Sequence, residues 1–146
     1  MRSSTRTPRR APEHRHLRAL IDTSVVIDLD SIDPVDLPTE IAVSAITLAE
    51  LAAGPHATTD PAERARRQDR LQRAEATFDP LPVDADVARA YGRVFAAVNA
   101  AGRKARGRRF ADLMIAATAV AGGLPLYTRN VDDFIGLSEL LEIVGI

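Results

Sequence analysis

The chain has 146 residues, enough for one domain, and a domain of about this size buries roughly 68–70% of its unfolded surface, so a real hydrophobic core is available. Its 46% hydrophobic and 27% charged residues are ordinary globular usage, while the lack of cysteine excludes disulfides, thiolate zinc sites and a cysteine nucleophile. Few aromatics and no Trp argue against a base-stacking platform, and no apolar run approaches the roughly 20 residues that span a bilayer, so a soluble, cytoplasmic protein without a membrane partner is expected.

The net charge of −1 hides an asymmetry, because residues 1–18 carry +5 and the remainder −6. Residues 1–17, rich in Arg, Ser, Thr and Pro, cannot offset the entropy of ordering and are expected to form a flexible basic tail ahead of a single domain, 18–146. Such a tail can touch phosphates, although an extension without a role is the plainer account.

Residues 18–22 read as a short buried strand feeding a helix over 23–29, with Thr23 or Ser24 available as its N-cap. Pro34 and Pro38 interrupt the pattern over 30–40, and 41–46 is a second buried strand. Thr47 is then placed to cap a helix, with Glu50 three positions on as the acid of a capping box and Gly54-Pro55 as the stop. A strongly charged helix is expected over 61–78, its narrow apolar face made by Leu71, Ala74 and Phe78.

A short strand at 81–83 leads to Asp84, which suits an N-cap. The helix after it, 85–101, carries Val87, Ala90, Tyr91, Val94, Phe95 and Val98 at helical spacing. A basic loop over 102–109 contains Arg103, Lys104, Arg106, Arg108 and Arg109. It precedes a helix over 110–123 that is apolar almost all round and therefore buried. A buried strand at 124–128, a turn into a short helix at 129–134 and a terminal strand at 142–144 complete the chain. Short, continuously apolar strands alternating with helices predict an α/β fold with a parallel sheet covered on both faces.

Such a sheet gathers the carboxyl ends of its strands along one edge, where open α/β folds place their ligands. Acids stand after a strand or at a helix start at Asp22, Glu50, Asp112 and the pair Asp132 and Asp133. Two like charges about 4 Å apart repel by about 4 kcal/mol at an effective dielectric near 20, so their convergence calls for a cation. With no cysteine, and with two of the three histidines (His14, His16, His56) in the tail, oxygen ligands favour Mg²⁺ or Mn²⁺. These ions retain water, the nucleophile that hydrolysis of a phosphodiester needs.

Each acid also has a purely structural account. Asp22, between apolar runs, is the least comfortable as a mere cap; Glu50 can be a capping-box acid, and Asp112 can answer the macrodipole of a buried helix. Of Asp132 and Asp133 one can ligate while the other caps, with Asn130 as a polar positioning group; Thr23 and Thr128 are caps or site residues. The five cations of the basic loop, just before Asp112, are placed for phosphate contact or form a solvated turn.

Four segments together resemble a known family. Leu-Ile-Asp22-Thr-Ser-Val-Val-Ile-Asp, Ser44-Ala-Ile-Thr-Leu-Ala-Glu50-Leu, Phe110-Ala-Asp112-Leu-Met-Ile-Ala-Ala and Tyr127-Thr-Arg-Asn130-Val-Asp-Asp133-Phe are similar to the acidic motifs of PIN domains, in order and spacing, over about residues 18–144. The likeness is strongest to the VapC-type toxins of type II toxin–antitoxin systems. It implies a three-layer PIN fold with a roughly five-stranded parallel sheet, a Mg²⁺- or Mn²⁺-dependent endoribonuclease, a homodimer and a cognate VapB-type antitoxin.

Carried over by position, Asp22 and Asp112 become the principal metal ligands, Glu50 a third acid and Asp133 the fourth, with Asp132 and Asn130 as alternatives in that slot. Thr23, Asn130, Arg103, Arg106, Arg108 and Arg109 are candidates for substrate contact. The rival expectations are a catalytically inactive module of the same fold that binds RNA or antitoxin, and a phosphoacceptor receiver domain. The receiver domain wants paired acids after the first strand and a late lysine, and the only lysine here is Lys104.

Overall fold

The structure, a computed structural model, describes residues 16–102 and 108–146. The tail expected at 1–17 lies outside the described residues except for its last two positions, and Arg103, Lys104 and Arg106 of the basic loop lie outside them too. The described chain begins at His16, whose ring bridges the Tyr127 hydroxyl (3.1 Å) and Glu142 Oε2 (2.7 Å).

Among the described residues four strands form one sheet: β1 (Arg18–Ile21), β2 (Glu40–Ala42), β3 (Leu126–Thr128) and β4 (Ile143–Gly145). Their order is β2-β1-β3-β4 and every pairing is parallel, with Leu20 opposite Ala42 on one side and Leu126 on the other. Among the described residues five α-helices connect them: α1 (Thr23–Ile27), α2 (Ala45–Ala53), α3 (Pro61–Thr77), α4 (Ala85–Ala100) and α5 (Arg108–Gly122). Among the described residues no helix is long and apolar enough to cross a membrane.

Alternation along the strands divides the core into two layers of side chains. Leu20 and Leu126 point into a cluster with Val94 and Val98 of α4 and Leu113 and Ile115 of α5. Ala19, Ile21 and Tyr127 point the other way, onto Val25 and Val26 of α1 and Leu51 of α2. The three-layer α/β arrangement expected from the sequence is therefore present.

The sheet is one strand short of the expected five. Leu81, the start of the expected strand 81–83, makes a single parallel bridge with Ser44, donating to the Val43 carbonyl and accepting from Ala45 N–H, both at 2.9 Å. Pro80 and Pro82 flank it. Proline holds φ near about −65°, far from the about −120° of a parallel strand, so the segment pairs at one residue only.

Helix starts also differ from expectation. Ser44, not Thr47, caps α2, its hydroxyl accepting from Ile46 N–H at 3.1 Å, and α5 begins at Arg108 rather than after the basic loop. Arginine is a good helix former, so Arg108 and Arg109 extend the buried helix instead of ending a loop. α1 stops at Ile27 and gives way to a 3-10 turn over Leu29–Ser31. Phe95, assigned to the apolar stripe of α4, is 40% exposed and packs on Tyr91, ring centres 6.1 Å apart.

From β1 the chain passes to β2 on one side, and only after α2 to α5 does it return to β3 on the other. The order thus reverses between β1 and β3, and the crevice beyond their carboxyl ends is where open α/β sheets bind ligands.

Candidate active site

Asp22 is the first residue beyond β1, and its N–H donates to the Tyr127 carbonyl of β3 at 3.1 Å. It is only 5% exposed. Its Oδ1 accepts from Val25 N–H at 3.2 Å and from the Ser24 hydroxyl; its Oδ2 accepts from the Thr128 hydroxyl at 2.6 Å. Asp22 is therefore the N-cap of α1, in place of Thr23 or Ser24, because its extended backbone turns the carboxylate back over the first helical N–H groups.

The two hydroxyl donors are themselves held. Ser24 Oγ accepts from Arg129 N–H at 3.3 Å, and Thr128 Oγ1 accepts from Asn130 N–H at 2.9 Å. β1, α1 and the end of β3 are thus tied together through one carboxylate. A carboxylate has about four acceptor positions, so three donors leave one for a further partner.

Glu50 sits on the exposed surface of α2, and the Thr23 hydroxyl donates to its Oε1 at 2.6 Å. The capping-box role does not fall to Glu50, because Thr47 lies inside the helix and its buried hydroxyl faces Thr23 at 3.1 Å. Asp112 is half-buried near the start of α5. Burial first, and then the charges of Asp133, Glu50 and Asp22, push its carboxyl up to about 6, against a smaller opposing pull from Arg109. Acids from four separate segments are therefore electrostatic neighbours.

Asp132 and Asp133 are exposed in the 3-10 turn Val131–Phe134, and of the two it is Asp133 whose charge acts on Asp112. Asn130 precedes that turn, and its side chain makes no cap bond. Arg109, on the first turn of α5, is the cation that acts on Asp112; Arg108 is the first residue of the helix. Among the described residues no three acidic or imidazole groups already stand at ion-holding distance. Mutual repulsion of like charges is a sufficient reason for them to stay apart.

A donor set of carboxylates, hydroxyls and one carboxamide suits a hard, oxygen-seeking cation better than zinc. Sequence reasoning missed Ser24 and Thr47 as members of this neighbourhood. A signal for each was present: Ser24 is the second hydroxyl after Asp22, and Thr47 stands three residues before Glu50 on one helix face.

The PIN domain family matches residues 19–139. Ribonuclease VapC5 of Mycobacterium tuberculosis is 37% identical over 127 residues, 85% of this chain and 90% of that protein. Ribonuclease VapC8 of the same species is 41% identical over 101 residues, 68% of this chain and 88% of its own length. Among solved structures, a VapBC-5 member of the VapBC toxin–antitoxin family from M. tuberculosis superposes with a TM-score of 0.77 at 36% identity, covering 89% of this chain and 99% of that one. With a family match over most of its length and such identity to two ribonucleases, the chain belongs to the PIN-domain family, in its VapC-type branch.

Proposed function

We propose that the chain is an endoribonuclease, the toxin half of a VapBC-type pair, in which Asp22, Glu50, Asp112 and Asp133 hold one or two Mg²⁺ or Mn²⁺ ions at the carboxyl edge of the sheet. The observation that carries this reading is the action of Asp133, Glu50 and Asp22 on the half-buried Asp112. Acids so placed disfavour the charge of Asp112, and a divalent cation relieves that. When bound, it supplies a nucleophile at neutral pH and screens charge on the phosphate.

The chain's own groups do the rest. Asp22 is held in one orientation by Val25, Ser24 and Thr128, and Glu50 is held by Thr23. Arg109, close enough to act on Asp112, offers a phosphate a counter-charge; Arg108, the first residue of α5, and Asn130, two residues beyond β3, belong to this reading of the site. Arg103 and Arg106 belong to the same reading, as cations in the segment just before α5. Likeness to a VapBC-5 structure supports a VapB-type antitoxin as partner, and a homodimer working in the cytoplasm is part of the same proposal.

The protein, freed of antitoxin, should cut RNA with Mg²⁺ or Mn²⁺ and stop with EDTA. Asp22→Asn and Asp112→Asn should each lower the rate by at least about 100-fold, more than the loss of an outer-shell partner costs. Full activity in both variants would sink the metal reading. Salt-sensitive RNA binding without any cleavage would favour the inactive module instead.

A further inference from the structure

The hydroxyl of Thr47 has no part in the proposed metal site. Thr47 is 1% exposed, one turn before Glu50 on α2, so the two side chains share a face of the helix. A valine would fill the same volume without a hydroxyl, and burying a hydroxyl is unfavourable unless it is bonded. The Thr47 oxygen lies 3.1 Å from Thr23 Oγ1, which in turn lies 2.6 Å from Glu50 Oε1.

Thr23 has one hydroxyl proton, and an ionised carboxylate can only accept. Thr23 Oγ1 is the donor in both contacts, so its proton lies on the shorter bond to Glu50 while the buried Thr47 oxygen, an acceptor at 3.1 Å, holds the same hydroxyl from the other side. The chain of bonds then runs from the buried interior of α2, through the first residue of α1, to an exposed carboxylate. A long exposed glutamate otherwise samples many rotamers, and it loses that freedom when a ligand fixes it.

We infer that Thr47 is a positioning residue: acting through Thr23, it fixes the Glu50 carboxylate before any cation arrives. This rests on the reading of Glu50 as a metal ligand. It predicts that the link matters to metal affinity and not merely to folding.

The test is Mn²⁺ titration, followed by electron paramagnetic resonance, of the wild type, Thr47→Val, Thr47→Ser, Thr23→Val and the Thr23→Val/Thr47→Val double variant, with melting curves of the metal-free forms. Thr47→Val should weaken Mn²⁺ binding about 5-fold, the scale of one modest hydrogen bond. Thr47→Ser should restore it, and Thr47→Val should add nothing to Thr23→Val. Wild-type affinity in Thr47→Val, no rescue by serine, or additive losses would each overturn the inference while leaving the metal reading intact. If Thr47→Val does not fold, Thr23→Val at its half-buried position removes the same link, and wild-type affinity there overturns the inference equally. A wild-type protein that binds no Mn²⁺ overturns both readings.

Discussion

Helices α3 and α5 are of nearly equal length, 17 and 15 residues, and are held in opposite ways. α5 buries every residue over 113–119, from Leu113 through Thr118 to Ala119, between the sheet and α4. No residue of α3 is buried; Leu71 and Ala74 touch the second core layer only in part. Along it run the pairs Arg66–Glu63 and Arg73–Asp69 at the surface and Arg67–Glu63, half-buried against the Gly54 turn. The helix that carries Asp112 to the sheet edge is thus fixed by packed volume, and the one that brings no candidate group there is laced by ion pairs of small individual worth.

That contrast is broken most strongly from the α5 side. Leu113→Ala, at a position with no exposure, should cost about 2–5 kcal/mol, read from urea unfolding, because the cavity cannot collapse between packed layers. A loss below about 1 kcal/mol would mean that α5 is looser than its burial implies.

Asp112→Asn, one residue earlier, should act with the opposite sign. The folded Asp112 carboxyl sits at about 6 against an ordinary 3.8, so folding favours its protonated form. This contribution to the stability of the metal-free protein is then full below about pH 4 and is lost as pH rises through about 6. Asp112→Asn should match the wild type at low pH and be more stable at pH 7.5 by about 1 kcal/mol, allowing for solvent screening of a half-buried group. Added Mn²⁺ should raise the wild-type melting temperature and leave that of the variant unchanged. Melting curves that show no such divergence with pH would contradict the burial of the site.

The smallest effect is expected on α3. Arg73 pairs with Asp69 one turn earlier and with Asp30 beyond α1, all at exposed positions. Arg73→Ala should change stability by no more than about 0.5 kcal/mol, and raised salt should erase the difference. A larger, salt-independent loss would show that α3 is clamped from outside its own surface.

The character of both helices is legible in the sequence, since an all-round apolar run and a run of alternating charges need no tertiary information. The acids stand out as candidates for a related reason: Asp22 and Asp112 interrupt apolar stretches where a charge is costly. The caps are harder to read. Asp22, Thr23 and Ser24 are all cap formers, as are Ser44 and Thr47, and the choice falls where each strand stops, which is set by pairing with a distant neighbour. Ala42 opposite Leu20 ends β2 early and leaves Ser44 at the corner. The link from Thr23 to Glu50 is invisible for the same reason, as it joins two helices whose approach the sheet dictates.

The single bridge at Leu81 has a consequence for how copies of this molecule meet. Successive residues of an extended segment turn their polar groups to opposite sides, so while the N–H and C=O of Leu81 face Val43 and Ala45 just beyond β2, the carbonyls of Pro80 and Pro82 turn away. Neither proline has an N–H. A strand of another chain arriving at Pro80 or Pro82 finds no N–H to pair with there, which disfavours edge-to-edge growth at that point.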